Sequence, residues 1–116
     1  MTWDKFEDII AWQKGQDLAE VVYKHFGKIN DYSFKDQICR ASVSISNNIA
    51  EGFDYGQPKI FAKYLRIALG SCAEVRSMVY LAKRLKFINE EQKIYLINLT
   101  ITITKLIKGI LRSLRF

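Results

Sequence analysis

Proline occurs once in this chain of 116 residues and glycine only six times. A sandwich or barrel of many short strands needs a turn former at each corner, so this scarcity argues against both and favours a few long helices. Cysteine occurs twice, at Cys39 and Cys72, and histidine once, at His25. Neither a CxxC spacing nor a His/Cys cluster is present, so no metal site is expected and both thiols are expected to be buried in a reducing compartment. Uninterrupted apolar runs are also missing. The richest stretch, 94–114, is broken by Asn98, Lys105, Lys108 and Arg112, and no membrane span is expected. The first residues are charged and lack the apolar region of a signal peptide, which points to the cytoplasm.

Motifs that carry chemistry are equally scarce. Gly52-Phe-Asp-Tyr-Gly56-Gln-Pro lacks the spacing and the Lys-Ser/Thr of a phosphate loop and reads as a helix stop and turn. There is no G-x-S-x-G, no H-E-x-x-H, and no Glu-x-x-His pair for a di-iron bundle. The adjacent acids Glu7-Asp8 and Glu90-Glu91 do not face each other, and both pairs suit helix first turns. Neither enzymatic activity nor a cofactor is expected.

What is present is material for one packed core. Hydrophobic residues make up 49%, aromatics 13% and charged residues 26%, which fits a single domain over residues 1–116. Asp4 with Glu7 resembles a capping box, followed by apolar positions Ala11, Gly15, Leu18, Val22 and Phe26 at helical spacing. A second helix opens at Ser33 with Asp36 and runs to about Asp54. Pro58 suits the first turn of a third, which continues to about Lys86. Asn89 with Gln92 caps a fourth, running to about Ser113. Short links between long helices imply an all-α, antiparallel up-down-up-down four-helix bundle.

The periodicity assigns roles to faces. On the third helix Phe61, Tyr64, Leu65, Ala68, Cys72, Val75, Val79 and Ala82 form a core stripe, with Ile60, Ile67, Met78 and Leu85 a quarter-turn away. On the fourth, Leu96, Leu99, Ile103, Leu106, Ile107, Ile110 and Leu114 face the core, while Ile94, Ile97 and Ile101 lie opposite. These two surplus stripes predict exposed apolar patches and a homo-oligomer. The second helix contains Ser42-Val-Ser-Ile-Ser-Asn-Asn48, too few strong helix formers to hold itself, and its small residues Cys39, Val43, Ser46 and Ala50 predict close packing on two sides. Arg40, Asn47, Glu51 and Glu74 are expected to join a partly buried polar network.

Charge is distributed unevenly. Residues 1–56 hold six basic and nine acidic residues, or −3; residues 57–116 hold twelve and three, or +9, so the net +6 arises wholly in the second half. Lys59, Lys63, Arg66 and Arg84 share an arc of the third helix, and Lys105, Lys108, Arg112 and Arg115 recur along one side of the fourth. Such stripes suit phosphate groups of RNA, or else an acidic protein surface.

Four segments resemble a known family. Phe6-Glu-Asp-Ile-Ile-Ala-Trp12, Gln37-Ile-Cys-Arg40-Ala41, Ser44-Ile-Ser-Asn-Asn48-Ile-Ala-Glu51-Gly52 and Leu65-Arg-Ile-Ala68-Leu-Gly70-Ser71-Cys-Ala-Glu74 resemble, in order, the four-helix-bundle proteins encoded in intervening sequences of bacterial 23S rRNA genes. That family is similar to the accessory subunit of diversity-generating retroelements, which works with a reverse transcriptase and template RNA. The resemblance implies an antiparallel bundle, commonly a homopentamer around a central channel, with no known enzymatic activity. The chain departs from the pattern at Ser46, where proline is frequent, and at the Lys86-Phe87 link, where a Gly-Tyr-like pair is frequent. Together these features lead to the expectation of a non-catalytic oligomer binding structured RNA or a ribonucleoprotein, or alternatively of a protein-interaction scaffold that touches no nucleic acid.

Overall fold

The computed structural model describes residues 2–115; Met1 and Phe116, the ends of the expected domain, lie outside the described residues. The described residues form a single 3-10 turn at Phe6–Asp8 and four helices, α1 (Ile10–Phe26), α2 (Tyr32–Asp54), α3 (Pro58–Arg84) and α4 (Glu90–Leu114). No strand occurs among them, and the fold is all-α. Each helix packs on its neighbours in sequence, and α4 closes back on α1, within an elongated body measuring 42 × 22 × 20 Å. The long axis matches about 27 residues of helix at ~1.5 Å rise per residue. The consecutive helices run antiparallel, so one end of the bundle gathers the start of α1, the end of α2, the start of α3 and the end of α4.

The helix ends show which local signals prevail. At α4 the capping box forms as expected: the Asn89 side chain accepts from the Gln92 backbone N–H at 2.8 Å, and Gln92 Oε1 accepts from the Asn89 N–H at 2.9 Å. Pro58 takes the first turn of α3. At α2 the cap is Asp31, whose carboxylate accepts from the Phe34 N–H at 3.0 Å, two residues ahead of the expected Ser33. At α1 the expected Asp4–Glu7 box is replaced by the 3-10 turn, and the helix starts after Ile9 without a side-chain cap. Ile9 is fully buried, so core packing sets that start in place of capping. The α3–α4 link is a Schellman closure. Phe87 N–H donates to the Ala82 carbonyl at 2.9 Å and Lys86 N–H to that of Lys83 at 3.1 Å, with Lys86 in the left-handed region at φ 65°.

One core runs the length of the bundle. Leu18, Val22, Ile38, Ile45, Ile49, Leu65, Val75, Val79, Leu96, Ile103 and Ile107 are fully enclosed. Phe53 and Phe61 close it at one end with Trp3, and Phe26, Phe34 and Phe87 at the other, through edge-on or tilted ring contacts. The helix α2 packs against both α1 and α3, as its small residues predict. A Cβ on Gly15 would lie 3.2 Å from Ser46 Cβ, so the α1 and α2 backbones approach closely there. Gln16 Nε2 donates to Ser46 Oγ across the same contact at 2.9 Å.

Two of the expected oligomer-interface residues are corrected by packing. Met78 and Ile97 are buried and do not belong to an exposed patch. Both belong to the core cluster. Tyr64, Leu99, Leu106 and Leu114, expected on the core face, are half-buried, and the three leucines pack against the core. Thr100, unassigned by periodicity because it is polar, is fully buried and satisfies its hydroxyl on the Ile97 carbonyl at 2.7 Å. The helix α4 is long and apolar enough to cross a membrane by length and composition. Its apolar residues Leu96, Ile103, Ile107 and Ile110 instead fill the bundle core.

Candidate functional site

The antiparallel packing of α3 on α4 sets the start of one basic stripe beside the end of the other. Pro58 shares a cleft with Leu106, Ile110 and Leu114, which fixes this register. Segment 55–73 and segment 92–116 contain no Asp or Glu. Folding therefore lays two acid-free segments side by side. Arg66, Lys108 and Arg112 line one shallow depression together with Leu111. Lys59 and Lys63 extend the surface along α3, and Lys105 and Arg115 along α4, all of them exposed. Lys59, Lys63, Lys105, Lys108, Arg112 and Arg115 have no carboxylate partner among the described residues. Seven like charges on one end of a narrow bundle, several of them within a Debye length of about 10 Å of one another, sum to a positive field over that surface.

Arg84 stands apart from this surface. It shares the helical arc of Lys59, Lys63 and Arg66, but it lies 18 residues beyond Arg66, roughly 27 Å along the axis at ~1.5 Å per residue. It sits at the opposite end, near the start of α4, where Glu90 and Glu91 stand in the first turn and Lys93 pairs with Glu90 at 2.7 Å. That Lys93 contact holds the Glu90 carboxyl below its ordinary range.

The expected buried network of Arg40, Asn47, Glu51 and Glu74 is likewise corrected: all four side chains are exposed in the chain. Their stripe points outward because the apolar residues Ile38, Ile45 and Ile49 occupy the inward face of α2. Glu74 accepts from Gln37 Nε2 at 3.1 Å. The polar cluster that does form joins Ser44, Asn48 and Ser71. Asn48 Nδ2 donates to Ser44 Oγ at 2.8 Å, and Ser71 Oγ to Ser44 Oγ at 2.9 Å. Shallow grooves flank it, lined by Asp36, Arg40 and Asn47 among others.

Of the residues expected at an oligomer interface, Ile67 (44% exposed), Leu85 (47%) and Ile94 (51%) remain open, while Ile60 and Ile101 are half-buried. The exposed Leu81, which neither apolar stripe includes, adds to the outer face of α3. Cys39 and Cys72 are buried free thiols, and burial raises both above the usual thiol range. Cys72 donates to the Thr100 carbonyl at 3.3 Å and accepts from Thr104. His25 is half-buried in the α1–α4 groove near Glu91 and Tyr95. No group of three or more His, Cys, Asp or Glu able to hold a metal occurs among the described residues.

Residues 7–109 match the model of the family described as 23S rRNA-intervening sequence protein. A search of curated proteins found no match. Among solved structures, the chain is similar to the crystal structure of a protein with unknown function from the S23 ribosomal protein family of Bacteroides thetaiotaomicron VPI-5482. Identity is 26% and the TM-score 0.78, with 88% of this chain and 98% of that one covered.

Proposed function

The chain belongs to the 23S rRNA-intervening sequence protein family, and from that premise we propose that it is a non-catalytic, oligomeric bundle that binds structured RNA or a ribonucleoprotein through the joined basic end of α3 and α4. One observation carries this reading: the antiparallel alignment of two acid-free segments, which brings Arg66 of one helix to Lys108 and Arg112 of the other. Phosphate groups are the common ligand chemistry for such a surface, and no acid–base pair is needed to hold them. Assembly as a homo-oligomer, a pentamer by family resemblance, would repeat the surface and add the fields of its copies. The exposed Ile67, Leu85 and Ile94 support that assembly.

The test is a titration of a fluorescent RNA hairpin at two salt concentrations. Neutralising Lys105, Lys108, Arg112 and Arg115 together is expected to lower affinity by at least an order of magnitude and to flatten the logarithmic salt dependence by about 3. Arg84→Gln, at the far end, is expected to leave binding unchanged. Negligible affinity at low salt, or indifference to the fourfold change, sinks the reading. Assembly is tested by light scattering: Ile67→Glu with Ile94→Glu is expected to disperse the oligomer, whereas a monomeric wild-type chain at micromolar concentration refutes it.

A second reading is favoured by the mixed character of the α3–α4 outer surface, where exposed isoleucines adjoin lysines. That combination also suits a protein-interaction scaffold or an accessory subunit, for example of a reverse transcriptase, docking on an acidic partner. Under this reading the fourfold variant loses the partner, and no RNA binds at any salt concentration.

A further inference from the structure

The turn between α2 and α3 carries a feature that charge alone does not explain. Tyr55 caps the end of α2, and Gly56 follows at φ 74°, a left-handed conformation that reverses the chain toward Pro58. One turn earlier, Gly52 is buried, and a Cβ there would collide with Cβ of Tyr64 on α3. The absent side chain lets Tyr64 lie directly over the α2 backbone. Tyr55 then stacks on Tyr64, with ring centroids 5.6 Å apart and planes within 28°. The neighbouring Tyr55 hydroxyl pushes the Tyr64 phenol above its ordinary range.

This pair is on the surface. Tyr55 remains 55% exposed although one side of its ring rests against Tyr64. The stacking orients the ring of Tyr55 while more than half of the residue stays open to solvent. Lys59 follows Tyr55 by four residues, and Lys63 adjoins Tyr64, so the rings stand at the margin of the basic surface. On the other side Glu51 approaches Tyr64 and Asp54 immediately precedes Tyr55. These carboxylates repel phosphates, so a polyanion touching the rings keeps its backbone on the lysine side. Aromatic faces beside a cationic track are the arrangement that receives unpaired bases, since every base has a π-face.

We propose that Tyr55, held flat by Tyr64, is a stacking platform for an unpaired base of single-stranded RNA whose phosphates run along Lys59 and Lys63. The proposal rests on the RNA-binding reading above and names the kind of RNA segment that the surface selects. Duplex RNA keeps its bases stacked inside the helix and offers nothing to the ring.

The experiment compares three fluorescent probes by anisotropy: an oligoadenylate of about ten nucleotides, an abasic strand of the same length, and a duplex. The wild-type chain is expected to bind the oligoadenylate about tenfold more tightly than the abasic strand. Tyr55→Ala is expected to abolish that ratio without changing affinity for the abasic strand, and Tyr55→Phe to retain it. A wild-type ratio near unity, a duplex bound as tightly as the single strand, or an unchanged ratio in Tyr55→Ala overturns the platform while leaving charge-driven binding intact. Failure of every probe to bind at low salt overturns the RNA reading, and the platform with it.

Discussion

The two halves of the bundle are built by different means. In the α1–α2 hairpin small residues bring backbones together: Gly15 abuts Ser46, and Gln16 spans the same contact by a hydrogen bond. Gly52 carries the same device across to α3. In the α3–α4 hairpin larger side chains fill the interface, Leu65, Val79, Leu96, Ile103 and Ile107 among them, with the Cys72 thiol donating across it to the Thr100 carbonyl. The outer surfaces differ in step. The first half carries −3, and the second carries +9. Close backbone approach is therefore the concern of the half with mixed charge, and volume packing that of the half with one-sided charge. The division leaves the outer faces of α3 and α4 able to vary in charge without touching what holds them.

The contrast can be broken by substitution, and urea unfolding is the measurement. Ile103→Ala in the volume-packed hairpin is expected to cost about 2–5 kcal/mol, because the rigid surroundings leave a cavity. Gly52→Ala in the closely approached half is expected to cost about 1–3 kcal/mol through overpacking against Tyr64, with Gly15→Ala milder because its neighbour can yield by a few tenths of an ångström. Equal costs for Ile103→Ala and Gly15→Ala would erase the distinction. Helix starts sharpen it further. Asn89→Ala is expected to lose about 1 kcal/mol with its capping box, whereas Asp4→Ala, which caps nothing, should stay within about 0.5 kcal/mol.

The smallest effect is a pH dependence. Lys93 holds the Glu90 carboxyl below its unfolded value, so the pair favours the folded state at neutral pH. That contribution is lost as pH falls from the unfolded value through the lower folded one. Wild type should therefore lose slightly more stability than Glu90→Gln over this acid interval, as read from paired denaturation curves.

Helix boundaries were legible where the signal is local. Pro58, Asn89 and Gln92 act within one turn of backbone, so sequence position alone identifies them. The start of α1 was not legible, because Asp4 and Glu7 offer a capping box that loses to the burial of Ile9, a tertiary effect. Helical arcs identified the cationic residues but not their grouping. An arc ignores the axial coordinate: 18 residues of helical rise separate Arg84 from Arg66, and only the antiparallel register brings Arg66 to Lys108 and Arg112. Ile97 and Met78 were misassigned for a related reason: a stripe at the edge of a core is exposed or buried according to the neighbouring helix, which periodicity within one helix does not contain. The stacked Tyr55 and Tyr64 escaped notice because their contact depends on Gly52, a residue that reads in sequence as a helix stop.

The alignment of two acid-free segments has a thermodynamic side. In the unfolded chain segments 55–73 and 92–116 drift apart and their charges are diluted; closing the hairpin compresses them onto one surface. Folding thus works against its own electrostatic repulsion, and anything that screens or neutralises the surface relieves that opposition. Melting temperature should consequently rise with ionic strength, and rise further with a multivalent anion at equal ionic strength. The bundle is then most stable when its positive charge is occupied.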